Sequence, residues 1–188
     1  MAGDEWVSTE VTVATPVQTV WRALRDREEI RRWHGWEYDG IEAEIDEIYI
    51  DAKQADDQAH TLDTGAGVFE LEPRADSTVV RVTRARPEGE RWAGVLDGID
   101  QGWITFVQQL RLALERHAGE VWFQSDDQLG LTVDDWGDGL LVVVAERTGP
   151  EPNGSGAAVI TTYGLDEREH QKLEQRWQAF WKDHYRER

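Results

Sequence analysis

One amphipathic stretch, Asp97–His117, constrains the fold of this chain more than any other feature. Its apolar side chains recur every three or four residues, which is the period of a helix. A stripe of this width must be covered, and the short alternating segments that precede it supply strands of an antiparallel sheet. The stretch therefore predicts a one-sided helix packed on a sheet. The inward positions are Ile99, Trp103, Phe106, Val107, Leu110, Ala113 and Leu114, and the outward ones are Gln101, Thr105, Gln108, Arg111 and Glu115.

The N-terminal segment predicts one strand and two short helices. Valines alternate with polar residues over Val7–Val13, which is the period of a half-buried strand. Thr15 followed by Pro16 and Gln18 has the spacing of a helix N-cap, a proline at the first helical position and a capping box. Asp26 has the same capping character and predicts a second short helix that ends near Trp33.

Residues Ile41–Ile50 alternate between apolar and acidic side chains, which predicts another strand. The apolar phase slips by one at Ile48, so a β-bulge is expected near Asp46 or Glu47. The polar segment Asp51–Ala59 is expected to be a loop, and strands are expected at 68–72 and 78–85. The acidic band is interpreted as the solvent face of an edge strand, where charge prevents sheet-to-sheet association, with a basic partner as the alternative. Its residues are Glu37, Asp39, Glu42, Glu44, Asp46 and Glu47.

The C-terminal part repeats some of this pattern. Strands are predicted at 129–133, 140–146 and 157–163, and a helix follows in which Asp166 and Glu169 form a capping box. This helix carries the stripe Leu173, Trp177, Phe180, Trp181 and His184. The predicted organisation is a domain over residues 1–118 and a partial β-β-β-α repeat over 119–188, packed on that domain or on a second subunit. A homodimer through Gly119–Arg188 is one expectation.

Residues Thr9–Leu114 resemble the helix-grip (SRPBCC) superfamily, which includes START domains and the birch-pollen allergen type. Within it they are most similar to the branch named after the activator of the Hsp90 ATPase. The matching stretches are VTVATPVQTVWRAL at Val11–Leu24, FELEP at Phe69–Pro73, TVVRVT at Thr78–Thr83 and GWITFVQQLRLALE at Gly102–Glu115. The resemblance implies an α+β fold, in which a curved antiparallel sheet wraps around a long C-terminal helix and leaves an apolar cavity between them.

The resemblance also implies a use for that cavity, which in related domains often holds a hydrophobic molecule. The leading hypothesis is non-catalytic binding of a small hydrophobic ligand, without a cofactor or a metal. A protein-binding regulator and a hydrolase or cyclase that uses the cavity are the alternatives. Trp33 and Trp36 flank the break at Gly35, and two interpretations stay open for them: the pair closes the cavity mouth, or it packs in the core. The expected ligand-binding residues are Trp33, Trp36, Phe69, Trp103, Phe106, Val107 and Leu110.

Charge and composition exclude several classes of function. The formal net charge of -18 disfavours nucleic acids and anionic membranes, because both reward basic surfaces. Cysteine is absent, which excludes disulfides, thiolate metal sites and cysteine nucleophiles. The acidic start of the chain and the lack of a long apolar run predict neither a signal peptide nor a membrane span, so a cytoplasmic location is expected.

One short motif invites a catalytic interpretation, and the five histidines invite a metal-site interpretation. Asp63-Thr64-Gly65-Ala66 matches the signature of retroviral-type aspartic proteases, but those enzymes are all-β, so a glycine-containing turn is the preferred interpretation. The histidines lack the spacing of metal ligands, and a zinc site is not expected. They are His34, His60, His117, His170 and His184.

Overall fold

The structure, a computed structural model, describes residues 5–35, 38–86, 93–115, 121–124, 128–133, 139–145 and 156–184. It has an α+β fold with two antiparallel sheets. The helices are α1 (Val17–Arg25), α2 (Arg27–Ile30), α3 (Ile41–Ile45), a π-helix (Asp46–Ile50), α4 (Ala93–Glu115) and α5 (Glu167–His184). The strands are β1 (Glu5–Val13), β2 (Gln54–Asp56), β3 (Thr61–Asp63), β4 (Val68–Pro73), β5 (Thr78–Arg86), β6 (Val121–Gln124), β7 (Gln128–Val133), β8 (Gly139–Ala145) and β9 (Gly156–Thr161).

The first sheet has five antiparallel strands in the order β1-β5-β4-β3-β2. Its register places Val11 opposite Val80 and Phe69 opposite Val82, and all four side chains are buried. Alternation along each strand therefore directs one apolar face of the sheet toward the core. The α+β class and this five-stranded antiparallel sheet confirm the coarse fold prediction.

The long helix α4 is buried on more than one side, so the prediction of a one-sided helix is wrong. Trp103, Val107 and Leu110 belong to the main hydrophobic core, as expected. Leu112, however, is only 1 % exposed and lies in a second core with Leu140 and Val142 of β8. The second sheet, in the order β6-β7-β8-β9, covers this side of α4. Three residues expected to face solvent are buried, namely Thr105, Gln108 and the side chain of Glu115, whose carboxylate accepts from the Ala14 amide at the end of β1.

The segment Ile41–Ile50 is helical, so the predicted strand and its bulge are wrong. Ile41, Ile45 and Tyr49 are buried, and their spacing of four residues is that of a helix face. The acidic side chains between them do not form the solvent face of an edge strand. Arg27 pairs with Asp46, and Arg31 donates to Glu42 at 3.0 Å, which ties this helical segment to α2.

Three smaller predictions meet different outcomes. The Asp26 carboxylate accepts hydrogen bonds from the amides of Glu28 (2.9 Å) and Glu29 (3.3 Å), which confirms it as the cap of α2. The expected Thr15 cap of α1 is wrong, because the N-cap is Pro16 and no side chain caps it. The Thr15 carbonyl instead accepts a hydrogen bond from the Thr78 hydroxyl at 2.7 Å. The expected loop Asp51–Ala59 contains the short strand β2.

Within its described residues, the C-terminal part has four strands where three were expected, since β6 precedes them. The capping box of α5 is confirmed: the Glu169 amide donates to Asp166 at 2.8 Å, and the Asp166 amide donates to Glu169 at 3.1 Å. The domain boundary at residue 118 and the internal repeat stay predictions. Among the helices in the described residues, none combines the length and the apolar character needed to cross a membrane.

Candidate functional site

The predicted ligand-binding residues come together in the main core. Five of them are buried in one cluster: Trp33, Phe69, Trp103, Val107 and Leu110. Phe106 is partly buried and packs against them, and Trp36 lies outside the described residues. The rings contact one another edge to face, with centroids 5.4 Å apart for Phe69 and Trp103 and 5.8 Å for Trp103 and Phe106. Their contact with a ligand stays a prediction.

Trp33 packs in the core, which was one of the two interpretations that the sequence left open. Its side chain is buried, with 3 % of the residue exposed, and its indole N–H donates to the Ala23 carbonyl at 2.9 Å. This bond satisfies the only polar atom of the ring and fixes its plane against α1. Trp33 therefore forms a wall of the core.

A pocket of about 250 Å³ lies on the outer side of this wall, between the α1–α2 pair and the C-terminal half of α4. Ala23 comes from α1, Ala113 and Leu114 come from α4, and Trp33 follows α2. The two alanines have small side chains, which leave space beside the indole ring. Its lining is completed by Glu29, Arg32 and Tyr163.

The polar groups of the pocket are grouped on one side. Arg32 pairs with Glu29 at 3.3 Å, so the two charges balance each other at the rim. Tyr163, which follows β9, donates a hydrogen bond from its hydroxyl to the Arg32 carbonyl. The C-terminal part of the chain therefore supplies one edge of the pocket. Sequence reasoning missed Tyr163 because no pattern linked this distant residue to the helix pair.

A second feature that sequence reasoning missed is a hydrogen-bonded chain of three polar side chains beside Trp33, of which His34 and Tyr49 are buried and Glu44 is partly exposed. Nε2 of His34 lies 3.0 Å from Glu44 Oε1, and Nδ1 of His34 lies 3.0 Å from the Tyr49 hydroxyl. The His34 ring packs on Phe106, with centroids 4.4 Å apart. The other Glu44 oxygen accepts from the Tyr38 hydroxyl. The only sequence signal was the helical spacing of Ile41, Ile45 and Tyr49, which the acidic alternation obscured.

Burial sets the protonation states of His34 and Tyr49. Desolvation lowers the pKa of His34, and the Glu44 carboxylate opposes the shift only in part. Desolvation and the Glu44 charge raise the pKa of Tyr49 well above its usual value. Both residues are therefore neutral near pH 7. The arrangement that satisfies all three groups has the Tyr49 hydroxyl donating to Nδ1 and Nε2–H donating to Glu44.

The order hydroxyl, imidazole, carboxylate is also that of a nucleophile, a base and the group that orients the base. Tyr49, however, is fully buried, and its ring packs edge to face on Trp33 and at a tilt on Phe69. A substrate has no path to this hydroxyl between those rings. The chain of hydrogen bonds therefore holds the π-helix against the core and satisfies the buried His34.

The Asp63-Thr64-Gly65-Ala66 motif forms a turn after β3. The Asp63 carboxylate accepts from the Gly65 amide at 2.8 Å, and Gly65 has a φ of 79°, which favours glycine. This amide, together with the ammonium group of Lys53 at 3.2 Å, lowers the pKa of Asp63. The carboxylate is thus an ionised turn residue, as the turn interpretation expected.

No protein-family model matches the chain, and no curated protein matches it. A solved structure that the chain resembles is DynU16, a protein in the dynemicin biosynthetic locus. The two are 14 % identical, with a TM-score of 0.41, over 95 % of this chain and 96 % of that chain. Identity and score are too low for this likeness to support an argument about fold or activity. The Hsp90-activator branch therefore stays a prediction.

Proposed function

We propose that this protein binds a small hydrophobic ligand, without catalysis, in the pocket between the α1–α2 pair and α4. The observation that carries the proposal is the pocket itself, in which Ala23, Trp33, Ala113 and Leu114 form a largely apolar lining with polar groups on one side. Ligand pockets typically have this composition. Of the predicted ligand-binding residues that the structure describes, Trp33 alone lines this pocket, which lies against the helix pair that the helix-grip resemblance expects at the mouth of the cavity.

Size and charge narrow the ligand class. The volume of about 250 Å³ lies just below the common range of ~300–1,000 Å³, which favours a molecule of one or two rings. Arg32 and Glu29 neutralise each other at the rim, and the chain as a whole has a net charge of -18. An anionic ligand would be repelled by this surface. The proposed ligand therefore has an apolar body and a neutral hydrogen-bonding end.

Two probes with the same ring system test this class. 1-Naphthol has a neutral hydroxyl, and 1-naphthoate carries a carboxylate on the same body. We expect 1-naphthol to bind saturably in isothermal titration calorimetry and 1-naphthoate to bind more weakly. Equal or stronger binding of 1-naphthoate would contradict the proposed charge selection.

A filled pocket supplies the second test. Ala113→Phe places a ring in the space between α4 and Trp33, so we expect 1-naphthol binding to be lost while the circular dichroism spectrum is unchanged. Ala55→Phe is the matched control, since Ala55 is exposed on the edge strand β2. If Ala113→Phe binds 1-naphthol like the unmodified protein, the pocket is not the binding site.

A further inference from the structure

We infer that Glu29 selects ligands whose polar end is a hydrogen-bond donor, such as a phenol or an aromatic N–H group. This inference rests on the proposed function, because it concerns the pocket between the α1–α2 pair and α4. Glu29 lies in α2, and among the described residues that line this pocket it is the one with a carboxylate. An ionised carboxylate accepts hydrogen bonds and donates none, so the ligand group that it binds must be a donor.

The contact between Glu29 and Arg32 leaves room for a further hydrogen bond to the carboxylate. It uses a single guanidinium nitrogen, Nη1 of Arg32, which lies 3.4 Å from Oε1 and 3.3 Å from Oε2 of Glu29. Hydrogen bonds between a charged N–H and a carboxylate are typically about 2.7–2.9 Å long, so this contact is longer than usual. The two oxygens of a carboxylate offer about four acceptor positions. A ligand can therefore bind Glu29 while Arg32 stays in place.

Two further hydrogen bonds join residues of the lining to each other. The Trp33 indole N–H donates to the Ala23 carbonyl at 2.9 Å, and the Tyr163 hydroxyl donates to the Arg32 carbonyl. Both carbonyl groups thus already accept a hydrogen bond from within the protein. A hydrogen bond to a charged acceptor is roughly twice as strong as one to a neutral acceptor. A ligand donor therefore gains more from Glu29 than from either carbonyl.

Exposure distinguishes Glu29 from Arg32, the other charged residue among the described lining. The Glu29 side chain is 26 % exposed, whereas that of Arg32 is 65 % exposed. The carboxylate has lost more of its contact with water, so a new hydrogen-bond partner stabilises it more than a partner stabilises the exposed guanidinium. The lining therefore favours a donor over an acceptor at the polar end of the ligand.

Two probes that share one ring system test the inference on the full chain. 1-Naphthol has a hydroxyl that donates, and 1-methoxynaphthalene has an ether oxygen that only accepts. Isothermal titration calorimetry should give a Kd for 1-naphthol about tenfold lower than that for 1-methoxynaphthalene, which is the lower end of the effect of a hydrogen bond to a charged group.

Glu29→Gln tests the carboxylate with little change in the shape of the side chain. The amide still accepts a hydrogen bond but has no charge, so we expect the Kd of 1-naphthol to rise about fivefold and its preference over 1-methoxynaphthalene to fall to about twofold. Glu28→Gln is the matched control, because Glu28 is exposed on the same helix and lies outside the described lining. It should bind both probes like the unmodified protein. Circular dichroism checks that both variants are folded.

The possible outcomes separate this inference from the proposed function. Equal binding of the two probes, or tighter binding of 1-methoxynaphthalene, would overturn the inference and leave the pocket as a hydrophobic binding site. A preference that survives Glu29→Gln would show that another group recognises the hydroxyl. Equal weakening by Glu29→Gln and Glu28→Gln would assign the effect to net charge and not to a contact with Glu29. If neither probe binds the unmodified protein, the proposed function and this inference both fail.

Discussion

Leu112→Ala tests whether the second sheet is part of the same folded unit as α4. Leu112 is 1 % exposed and packs with Leu140 and Val142 of β8, while Ile104 and Tyr163 pack against this small core. If the second sheet covers α4 in solution, truncation of this side chain leaves a cavity. If α4 had the solvent-facing side that its sequence pattern predicts, the same change would cost almost nothing.

The magnitude follows from the burial. Leu-to-Ala changes at fully buried sites cost about 2–5 kcal/mol, and we expect about 3 kcal/mol here because this small core can partly collapse. For a chain of this length the denaturant slope in urea is about 3 kcal/mol per M, at the upper end of the usual range. The midpoint of urea unfolding, followed by far-UV circular dichroism, should therefore fall by about 1 M.

The matched control lies half a turn along the same helix. Leu114 is only partly buried at the edge of the main core and lines the pocket, so Leu114→Ala removes the same atoms from a more open site. Its midpoint should fall by clearly less than that of Leu112→Ala. A smaller loss at Leu112 than at Leu114 would refute the burial of α4 on both sides.

Three further predictions follow from the core and the helix ends. Trp103→Ala should lower the free energy of unfolding by about 3–5 kcal/mol, measured by urea titration, because Trp103 is buried against Phe69; an unchanged midpoint would remove it from the core. Asp26→Ala should cost about 1 kcal/mol in the same assay, since the carboxylate caps α2, and no loss would mean that water replaces the cap. The lowered pKa of buried His34 means that the unfolded chain takes up a proton first as the pH falls. The contribution of His34 to the free energy of unfolding is therefore present above pH 6.5 and is lost as the pH falls below it. His34→Gln should lack this dependence of Tm on pH. Identical profiles of Tm against pH for the variant and the unmodified protein would contradict the assignment of a neutral His34.

Helices and strands were predicted correctly where the local sequence pattern favours the same structure as the contacts in the folded protein. The helix α4 and the strands β1, β4 and β5 are found within a few residues of their expected bounds. The caps at Asp26 and Asp166 were predictable because each joins a carboxylate to backbone amides two or three residues further along the chain. In these places a short window of sequence contains all the interactions that decide the structure.

The segment Ile41–Ile50 shows where local signals are ambiguous. Isoleucines at 41 and 45 fit a strand with period two and a helix with period four equally well. The buried Tyr49 decides for the helix, because it continues the spacing of four and reaches His34 in the core. Only tertiary contacts distinguish the two, and the apparent bulge was in fact the change from α3 to the π-helix.

Burial of polar residues on α4 was beyond local reasoning. Gln109 is buried, and its side-chain amide donates to the Gly35 carbonyl at 3.1 Å and to the Thr161 hydroxyl at 2.7 Å. A glutamine is normally counted as solvent-facing, and its two partners lie far away in the sequence. The pocket could not be predicted from local sequence for the same reason, since Tyr163 joins Trp33 and Leu114 only through the packing of the second sheet.

The resonance of the Trp33 indole N–H tests the proposed binding site most directly. This group donates to Ala23, and both residues line the pocket, whereas Trp6 on β1 is 65 % exposed and lies outside the pocket lining. In ¹H–¹⁵N spectra, assigned with Trp33→Phe and Trp6→Phe variants, 1-naphthol should shift the Trp33 indole signal saturably and leave the Trp6 signal in place. A Trp33 signal that does not move while 1-naphthol binds would contradict the proposed site.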